Sequence, residues 1–136
     1  MDASQPDATL NVFLVEDAMA VRRRIAEALS AIPRVAVVGE AEDAPSALAG
    51  IRATGADVAV VDLRLVDSNG IDLVAGLSRE RPAVVKLVLT NHSGPAFRAA
   101  CASAGADFFF DKTSEFDAAC RAIEVLVQTR ATRRAP

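Results

Sequence analysis

The sequence has few of the features that favour nucleic acid or a membrane as a partner. It contains no tryptophan or tyrosine and only six phenylalanines, so it offers few aromatic platforms for stacking bases. Its net charge of −3 lacks the basic excess that phosphate backbones attract. Its apolar stretches fall well short of the ~20 residues that a membrane span requires. We therefore expect no nucleic-acid partner and no membrane segment.

Cysteine is also scarce. Cys101 and Cys120 are too few and too far apart for a disulfide framework or a zinc site, and we interpret both as small hydrophobic residues on helices. The first eleven residues are polar and acidic, without the basic and apolar regions of a signal peptide. A reducing, cytoplasmic location is the expectation that follows.

Length and composition predict a single soluble domain. The chain has 136 residues, of which 51% are hydrophobic and 24% charged. We divide it into a polar leader at residues 1–9, a domain at residues 10–129 and a basic C-terminal tail at residues 130–136, which we expect to be frayed and solvated. No further domain follows in the sequence, so we expect a stand-alone module, unless the chain is part of a longer protein.

Short apolar runs alternate with segments of helical spacing. The runs are continuously apolar, as in strands that are covered on both faces. Five strands alternating with five helices predict an α/β fold with a doubly wound, five-stranded parallel sheet. The predicted strands are Leu10–Val15, Val35–Val38, Val58–Val61, Val84–Leu89 and Phe108–Phe110.

Prolines and glycines indicate where several helices begin and end. Pro45 and Pro95 stand where first helical turns are expected, and Gly55 and Gly105 where helices should stop. Thr or Ser at residues 113 and 114 provides an N-cap for the last helix.

Polar residues stand at the ends of four of the predicted strands. In an open parallel α/β sheet, ligands bind outside the carboxyl ends of the strands, so these side chains should converge at one edge. The residues are Glu16 and Asp17 after the first strand, Asp62 after the third, Thr90 after the fourth, and Asp111 and Lys112 after the fifth.

The predicted cluster of carboxylates requires a positive charge. Two carboxylates ~4 Å apart repel by roughly 4 kcal/mol at an effective dielectric constant near 20, so either one is protonated or a cation lies between them. Oxygen ligands with room for water suit Mg²⁺. Asp62, at the tip of a fully apolar strand, is the candidate nucleophile for a phosphoryl group. Lys112 would neutralise charge on the transferring oxygens, and Thr90 would donate a hydrogen bond.

Each of these residues also has a simpler interpretation. The acidic pair could serve only as favourable charge at a helix N-terminus, and Asp62 could be a cap. Thr90 alone is a β-branched strand residue, and Lys112 alone is a surface charge. The combination in chain order favours the functional interpretation.

That ordered combination resembles the response-regulator receiver domain of two-component phosphorelay signalling, from about residue 10 to 128. The resemblance implies a flavodoxin-like sheet with strand order 2-1-3-4-5. The segments that carry it are Val15-Glu16-Asp17, Val60-Val61-Asp62-Leu63-Arg64-Leu65 with Gly70, Val88-Leu89-Thr90, and Gly105-Ala106-Asp107-Phe108-Phe109-Phe110-Asp111-Lys112.

The resemblance also implies a role for each matching residue. Asp62 would accept a phosphoryl group from the phosphohistidine of a sensor histidine kinase or histidine phosphotransfer protein. Thr90 and Phe109 would form a switch pair, and Lys112 would pair with the phosphoryl oxygens. The implied Mg²⁺ ligands are Asp17, Asp62 and the backbone carbonyl of Arg64, with Glu16 acting through water.

Binding is the output that the resemblance implies. A downstream protein or a second copy would read the face formed by helix 4, strand 5 and helix 5, and the only reactions expected are Mg²⁺-dependent self-phosphorylation and autodephosphorylation at Asp62. Two alternatives remain: a receiver-like interaction module that does not switch, and a phosphatase, for which Arg64 stands where a second acid is needed. Candidate residues of the face are Arg98, Ala102, Phe109, Lys112 and Phe116.

Several residues depart from the family pattern. Thr113 replaces the proline that usually follows the lysine, so we expect a trans Lys112–Thr113 bond. Val66 also replaces a proline, and Asn91 replaces a small residue, where it would narrow or order the approach of water. Arg64 and His92 should tune the lifetime of the phosphoryl group. His92 is either a base or pH sensor, or a solvent-facing loop residue. Arginines 22–24 form either a solvated helix face or a partner contact.

Overall fold

Secondary structure alternates between strands and helices along most of the chain. The computed structural model describes residues 9–134, with side chains through residue 130. Over this range the elements are β1 (Leu10–Val15), α1 (Met19–Ser30), β2 (Val35–Ala41), α2 (Ala44–Thr54), β3 (Val58–Val61), β4 (Arg64–Leu65), β5 (Ser68–Asn69), α3 (Gly70–Glu80), β6 (Val85–Thr90), α4 (Pro95–Ala104), β7 (Phe108–Asp111) and α5 (Phe116–Arg134).

A parallel sheet organises the fold. Its strand order is β2-β1-β3-β6-β7, which is 2-1-3-4-5 when only its own strands are counted, so the predicted doubly wound, flavodoxin-like sheet is confirmed. The short strands β4 and β5 pair with each other in an antiparallel ladder. The sequence did not predict this pair, because two-residue strands leave no periodic pattern.

Helices cover both faces of the sheet. Alternate residues of β1 and β3 pack on α1 and α5 on one side and on α2 and α3 on the other. The helix α4 joins the second side through Cys101, which packs with Val74 and Val88. Every residue of β3 is buried, which explains why the predicted strand is apolar throughout.

The predicted helix boundaries are confirmed at α2 and α4. Pro45 lies in the first turn of α2 and Pro95 begins α4. Gly55 and Gly105 end these helices in the left-handed conformation, with φ of 63° and 103°, which glycine adopts without a steric penalty. The helix α5 begins at Phe116, so the N-cap predicted at residues 113 and 114 lies too early.

The boundary predicted for the C-terminal tail is wrong. The helix α5 continues through Arg134. The guanidinium of Arg130 lies 2.9 Å from the carboxylate of Asp57, which directly precedes β3 at the amino edge of the sheet. An ion pair at Arg130 and a helix that continues to Arg134 therefore replace the frayed chain expected there. Residues 1–8 of the predicted leader and residues 135–136 of the tail lie outside the described residues.

Both cysteines are free thiols on helices, Cys101 buried and Cys120 half-buried, as predicted. No helix within residues 9–134 combines the length and the apolar character needed to cross a bilayer.

The register of the sheet aligns the carboxyl ends of the central strands. Val15 pairs with Val61, and Thr90 pairs with Asp111, so the residues that follow these strands lie along one edge. The loop after β3 also packs tightly, because a Cβ atom at Gly70 would lie 2.1 Å from the backbone oxygen of Asp62. Only glycine allows α3 to begin this close to the strand end.

Candidate metal centre at the carboxyl edge of the sheet

Three acidic side chains converge at this edge. Glu16, Asp17 and Asp62 each place a carboxylate oxygen within 4.8 Å of the other two. Glu16 is 2% exposed and Asp62 is 8% exposed, whereas Asp17 is half-buried. The convergence that chain order predicted is therefore present in the structure.

Lys112 reaches into the acidic cluster from the loop after β7. Its ammonium lies 2.5 Å from Oε1 of Glu16 and 3.0 Å from Oδ2 of Asp62. The lysine side chain is only 14% exposed, so little water screens these contacts. The cluster is a partly buried anionic site with one fixed positive charge.

Burial and the contact between Glu16 and Lys112 have opposite effects on the pKa of each of these two groups. The pKa of Glu16 is raised to about 7: burial is the largest cause, the hydrogen bond from Lys112 lowers the pKa, and the neighbouring charge of Asp62 raises it. Burial by itself lowers the pKa of Lys112, but the contacts with Glu16 and Asp62 outweigh it and leave that pKa above its ordinary value. Lys112 is therefore charged at neutral pH, and Glu16 retains a proton part of the time.

The donor set fits a hard divalent cation. Three carboxylates and one ammonium leave a formal charge of −2, and oxygen ligands of this kind suit Mg²⁺. Oδ1 of Asp62 accepts a hydrogen bond from the backbone N–H of Leu63 at 2.7 Å, which orients the carboxylate. Arg64 begins β4 with an exposed side chain, and its carbonyl as a ligand stays a prediction.

Arg22 is a contributor to the site that the sequence analysis missed. Its guanidinium donates a hydrogen bond to the backbone oxygen of Glu16 at 2.7 Å and pairs with the carboxylate of Glu40 at 3.1 Å. The interpretation of residues 22–24 as a solvated face is therefore wrong for Arg22, whereas Arg23 and Arg24 are exposed, which is compatible with a solvated face and with a partner contact. The run of arginines does not reveal this role of Arg22, because the partner Glu40 lies on β2, 18 residues farther along the chain.

Thr90 and Phe109, the predicted switch pair, lie at neighbouring strands. Thr90 is fully buried; its hydroxyl oxygen accepts the N–H of His92 at 3.1 Å and its carbonyl accepts the N–H of Lys112 at 2.8 Å. Phe109 is half-buried, with the guanidinium carbon of Arg98 4.6 Å above its ring. A switching role for the pair stays a prediction.

The predicted face of α4, β7 and α5 is smaller than expected. Arg98 and Ala102 are exposed there, beside Phe109. Lys112 does not belong to this face, because its ammonium is held by the carboxylates of the acidic cluster. Phe116 is half-buried and packs against the core of α1 and α5, as Phe109 packs beside Cys101, so both stay candidate residues of the face.

His92 lies at the rim of the site and is half-buried. Its ring is tilted against that of Phe97 with 5.6 Å between centroids. The two rings border a cleft of about 220 Å³ that Arg64 also lines. His92 is therefore partly packed, and a role as a base or pH sensor stays a hypothesis.

Two of the residues that depart from the family pattern use backbone hydrogens that proline lacks. The N–H of Val66 donates to the carbonyl of Glu42 at 3.0 Å, and the N–H of Thr113 donates to Oδ1 of Asp111 at 2.9 Å. Every peptide bond within residues 9–134 is trans, as expected for the Lys112–Thr113 bond.

Comparison with known sequences matches residues 12–124 to the response regulator receiver domain. A relative, the DNA-binding transcriptional activator DevR/DosR of Mycobacterium tuberculosis, is 43% identical over 84 residues, which are 62% of this chain and 39% of that protein. The transcriptional regulatory protein UhpA of Salmonella typhimurium is 29% identical over 86% of this chain and 58% of its own length. The chain thus spans less than two thirds of these relatives.

Comparison with solved structures gives the same fold. A two-component response regulator of the LuxR family from Aurantimonas sp. SI85-9A1 superposes with a TM-score of 0.83 and is 33% identical. The alignment covers 90% of this chain and 87% of that chain.

Proposed function

The chain belongs to the response regulator receiver domain family, and from this premise we propose that Asp62 accepts a phosphoryl group from the phosphohistidine of a partner in a Mg²⁺-dependent reaction. The observation that carries the proposal is the contact of one ammonium, that of Lys112, with both Asp62 and Glu16. A carboxylate held beside a fixed cation and two further acids suits acyl phosphate formation.

Asp62 and Lys112 would have different roles in phosphoryl transfer. One oxygen of Asp62 is held by the N–H of Leu63, which leaves the other, beside Lys112, as the attacking atom. That oxygen forms the new O–P bond as the bond from phosphorus to the donor nitrogen breaks. The ammonium of Lys112 then pairs with the phosphoryl oxygens, which takes the place of its contact with the carboxylate.

Magnesium would be held by Asp17 and Asp62, with Glu16 acting through water and the carbonyl of Arg64 as a further ligand. When bound, Mg²⁺ supplies positive charge to the equatorial oxygens of the transferring group. Its charge also favours the ionised form of Glu16, whose pKa burial raises to about 7.

We further propose that phosphorylation changes a binding surface of α4 and β7. Thr90 would move its hydroxyl toward the phosphoryl group and release the N–H of His92, while Phe109 turns inward from beneath Arg98. The partner kinase, the reader of this surface, the cytoplasmic location and the absence of a nucleic-acid partner stay predictions. The DNA binding named for one relative belongs to a protein of which this chain spans 39%.

Mass spectrometry after incubation with acetyl phosphate and Mg²⁺ tests the phosphoryl acceptor. We expect the wild type to gain one phosphoryl group, and Asp62→Asn to gain none, because an amide oxygen does not form the acyl phosphate. Asp67→Asn is the matched control, since Asp67 is an exposed acid in the same loop with φ of 49°, which asparagine tolerates. An unmodified wild type would refute the proposal and leave the non-switching interaction module. Modification that survives Asp62→Asn would refute Asp62 as the acceptor.

A further inference from the structure

Two residues that depart from the family pattern contact each other. The hydroxyl of Thr113 donates a hydrogen bond to Oδ1 of Asn91 at 3.0 Å. Thr113 stands where the family usually has proline, and Asn91 where it usually has a small residue, so neither usual side chain could form this bond. The two positions are 22 residues apart in sequence and belong to different loops.

These two loops carry the residues that surround the phosphoryl site. Asn91 follows Thr90 directly, and Thr113 follows Lys112 directly. The backbone N–H of Lys112 donates to the carbonyl of Thr90 at 2.8 Å, which ends the ladder between β6 and β7. Beyond that bond Asn91, Thr113 and Ser114 are exposed, and the relative position of the two loops depends on side-chain contacts.

A second side-chain contact joins Ser93, two residues after Asn91, to Asp111, the last residue of β7. Ser93 donates its hydroxyl to Oδ2 of Asp111 at 2.6 Å, while Oδ1 of Asp111 accepts the N–H groups of Thr113 and Ser114 at 2.9 Å. These bonds hold the pKa of Asp111 at about 2, so its carboxylate is ionised throughout the physiological range. Side-chain hydrogen bonds therefore join the loop after Thr90 to the chain both directly before and directly after Lys112.

We propose that Asn91 and Thr113 are positioning residues of the phosphoryl site: the hydrogen bond between their side chains fixes the loop after Lys112 to the loop after Thr90 and so holds the ammonium against Asp62. The bond restrains a loop in which proline, the usual residue of the family at position 113, would fix the backbone φ. The inference rests on the proposed function, because Lys112 matters only if Asp62 accepts a phosphoryl group.

The rate of phosphorylation by acetyl phosphate tests the proposal. We expect Thr113→Val, which keeps the shape and removes the donor, to slow the rate about two- to tenfold, the range that the loss of one neutral hydrogen bond gives. Asn91→Ala should slow it by a similar factor. Thr113→Ser keeps the hydroxyl and should retain the wild-type rate. Thr54→Val is the matched control, since Thr54 is an exposed threonine on α2 whose hydroxyl bonds only Gly50 within its own helix.

The double variant Asn91→Ala/Thr113→Val separates a shared bond from two independent effects. If the bond is the cause, the double variant is no slower than the slower single variant, because the second change removes nothing further. Both side chains are exposed, so the melting temperatures should stay close to that of the wild type.

Three results for the phosphorylation rate would overturn the inference. These are single variants that react at the wild-type rate, a Thr113→Ser variant as slow as Thr113→Val, and a double variant whose slowing is the product of the two single effects. An Asn91→Ala variant altered only in dephosphorylation would likewise assign Asn91 to the control of water and overturn it. A wild type that gains no phosphoryl group refutes the proposed function instead, so the two failures are distinguishable.

Discussion

At the scale of single residues, Glu16 shows most directly how the site lowers the stability of the fold. It is 2% exposed and lies beside another acid, yet among the described residues the only cation that contacts its carboxylate is the ammonium of Lys112, which Asp62 shares. Burial of a charge is unfavourable unless it is fully paired. The fold tolerates this arrangement because Glu16 can hold a proton.

The pH dependence of stability should follow from Glu16. Its folded-state pKa of about 7 exceeds its ordinary value of 4.5, so its contribution to stability is full below the ordinary value and is lost as the pH rises through the folded value. We expect Glu16→Gln, which stays neutral, to remove this loss. Denaturant unfolding without Mg²⁺ at about pH 5 and about pH 8 measures it. An equal fall in stability of wild type and variant between the two pH values would contradict this assignment.

At the scale of elements, the start of α3 and the end of β3 constrain each other. Gly70 begins α3 where its Cα faces the backbone oxygen of Asp62, and it donates its N–H to Leu63 at 2.8 Å. The short pair β4 and β5 fills the six residues between Leu63 and Gly70. A change at the helix start should therefore alter the position of Asp62, the proposed phosphoryl acceptor.

Substitution of alanine at two glycines of α3 tests this coupling. A Cβ at Gly70 would lie 2.1 Å from the backbone oxygen of Asp62, so we expect Gly70→Ala to destabilise the fold by about 1–3 kcal/mol, as overpacking does, and to slow phosphorylation. At Gly76 a Cβ meets no atom within 4 Å, so Gly76→Ala should stabilise the same helix by about 0.5–1 kcal/mol. Chemical unfolding and the acetyl phosphate assay compare the two, and equal effects would refute the coupling.

At the scale of the whole molecule, charge is distributed between the two ends of the sheet. The carboxyl edge gathers three acids around one lysine, whereas at the other edge Arg130 pairs with Asp57 and its Nε finds no hydrogen-bond partner among the residues that the structure describes. Hydrophobic packing on both faces holds this arrangement together. The acidic edge is thus the part of the molecule that an added cation should stabilise most.

Magnesium should raise the stability of the whole domain. Binding to the folded state alone adds RT ln(1 + [L]/Kd), which is about 2.7 kcal/mol at a concentration one hundred times Kd. Asp17→Asn should reduce this gain and raise the stability of the metal-free protein by about 1 kcal/mol, since charges about 4 Å apart interact by roughly 1–4 kcal/mol between water and a protein surface. Thermal unfolding with and without Mg²⁺ measures both effects. A less stable metal-free Asp17→Asn would contradict the repulsion among the acids.

The sequence by itself determined the order of strands and helices and the identity of the converging acids. Continuous apolar runs predicted the strands, and the polar residues that follow them had to meet at one edge, because parallel strands share the direction of their carboxyl ends. The contacts of Arg22 with Glu40 and of Asn91 with Thr113 were decided only by the tertiary structure. The extent of α5 past Arg130 and the ion pair of Arg130 with Asp57 were decided there as well. Such contacts join residues 18 to 73 positions apart, and no local pattern specifies which side chains meet across that distance.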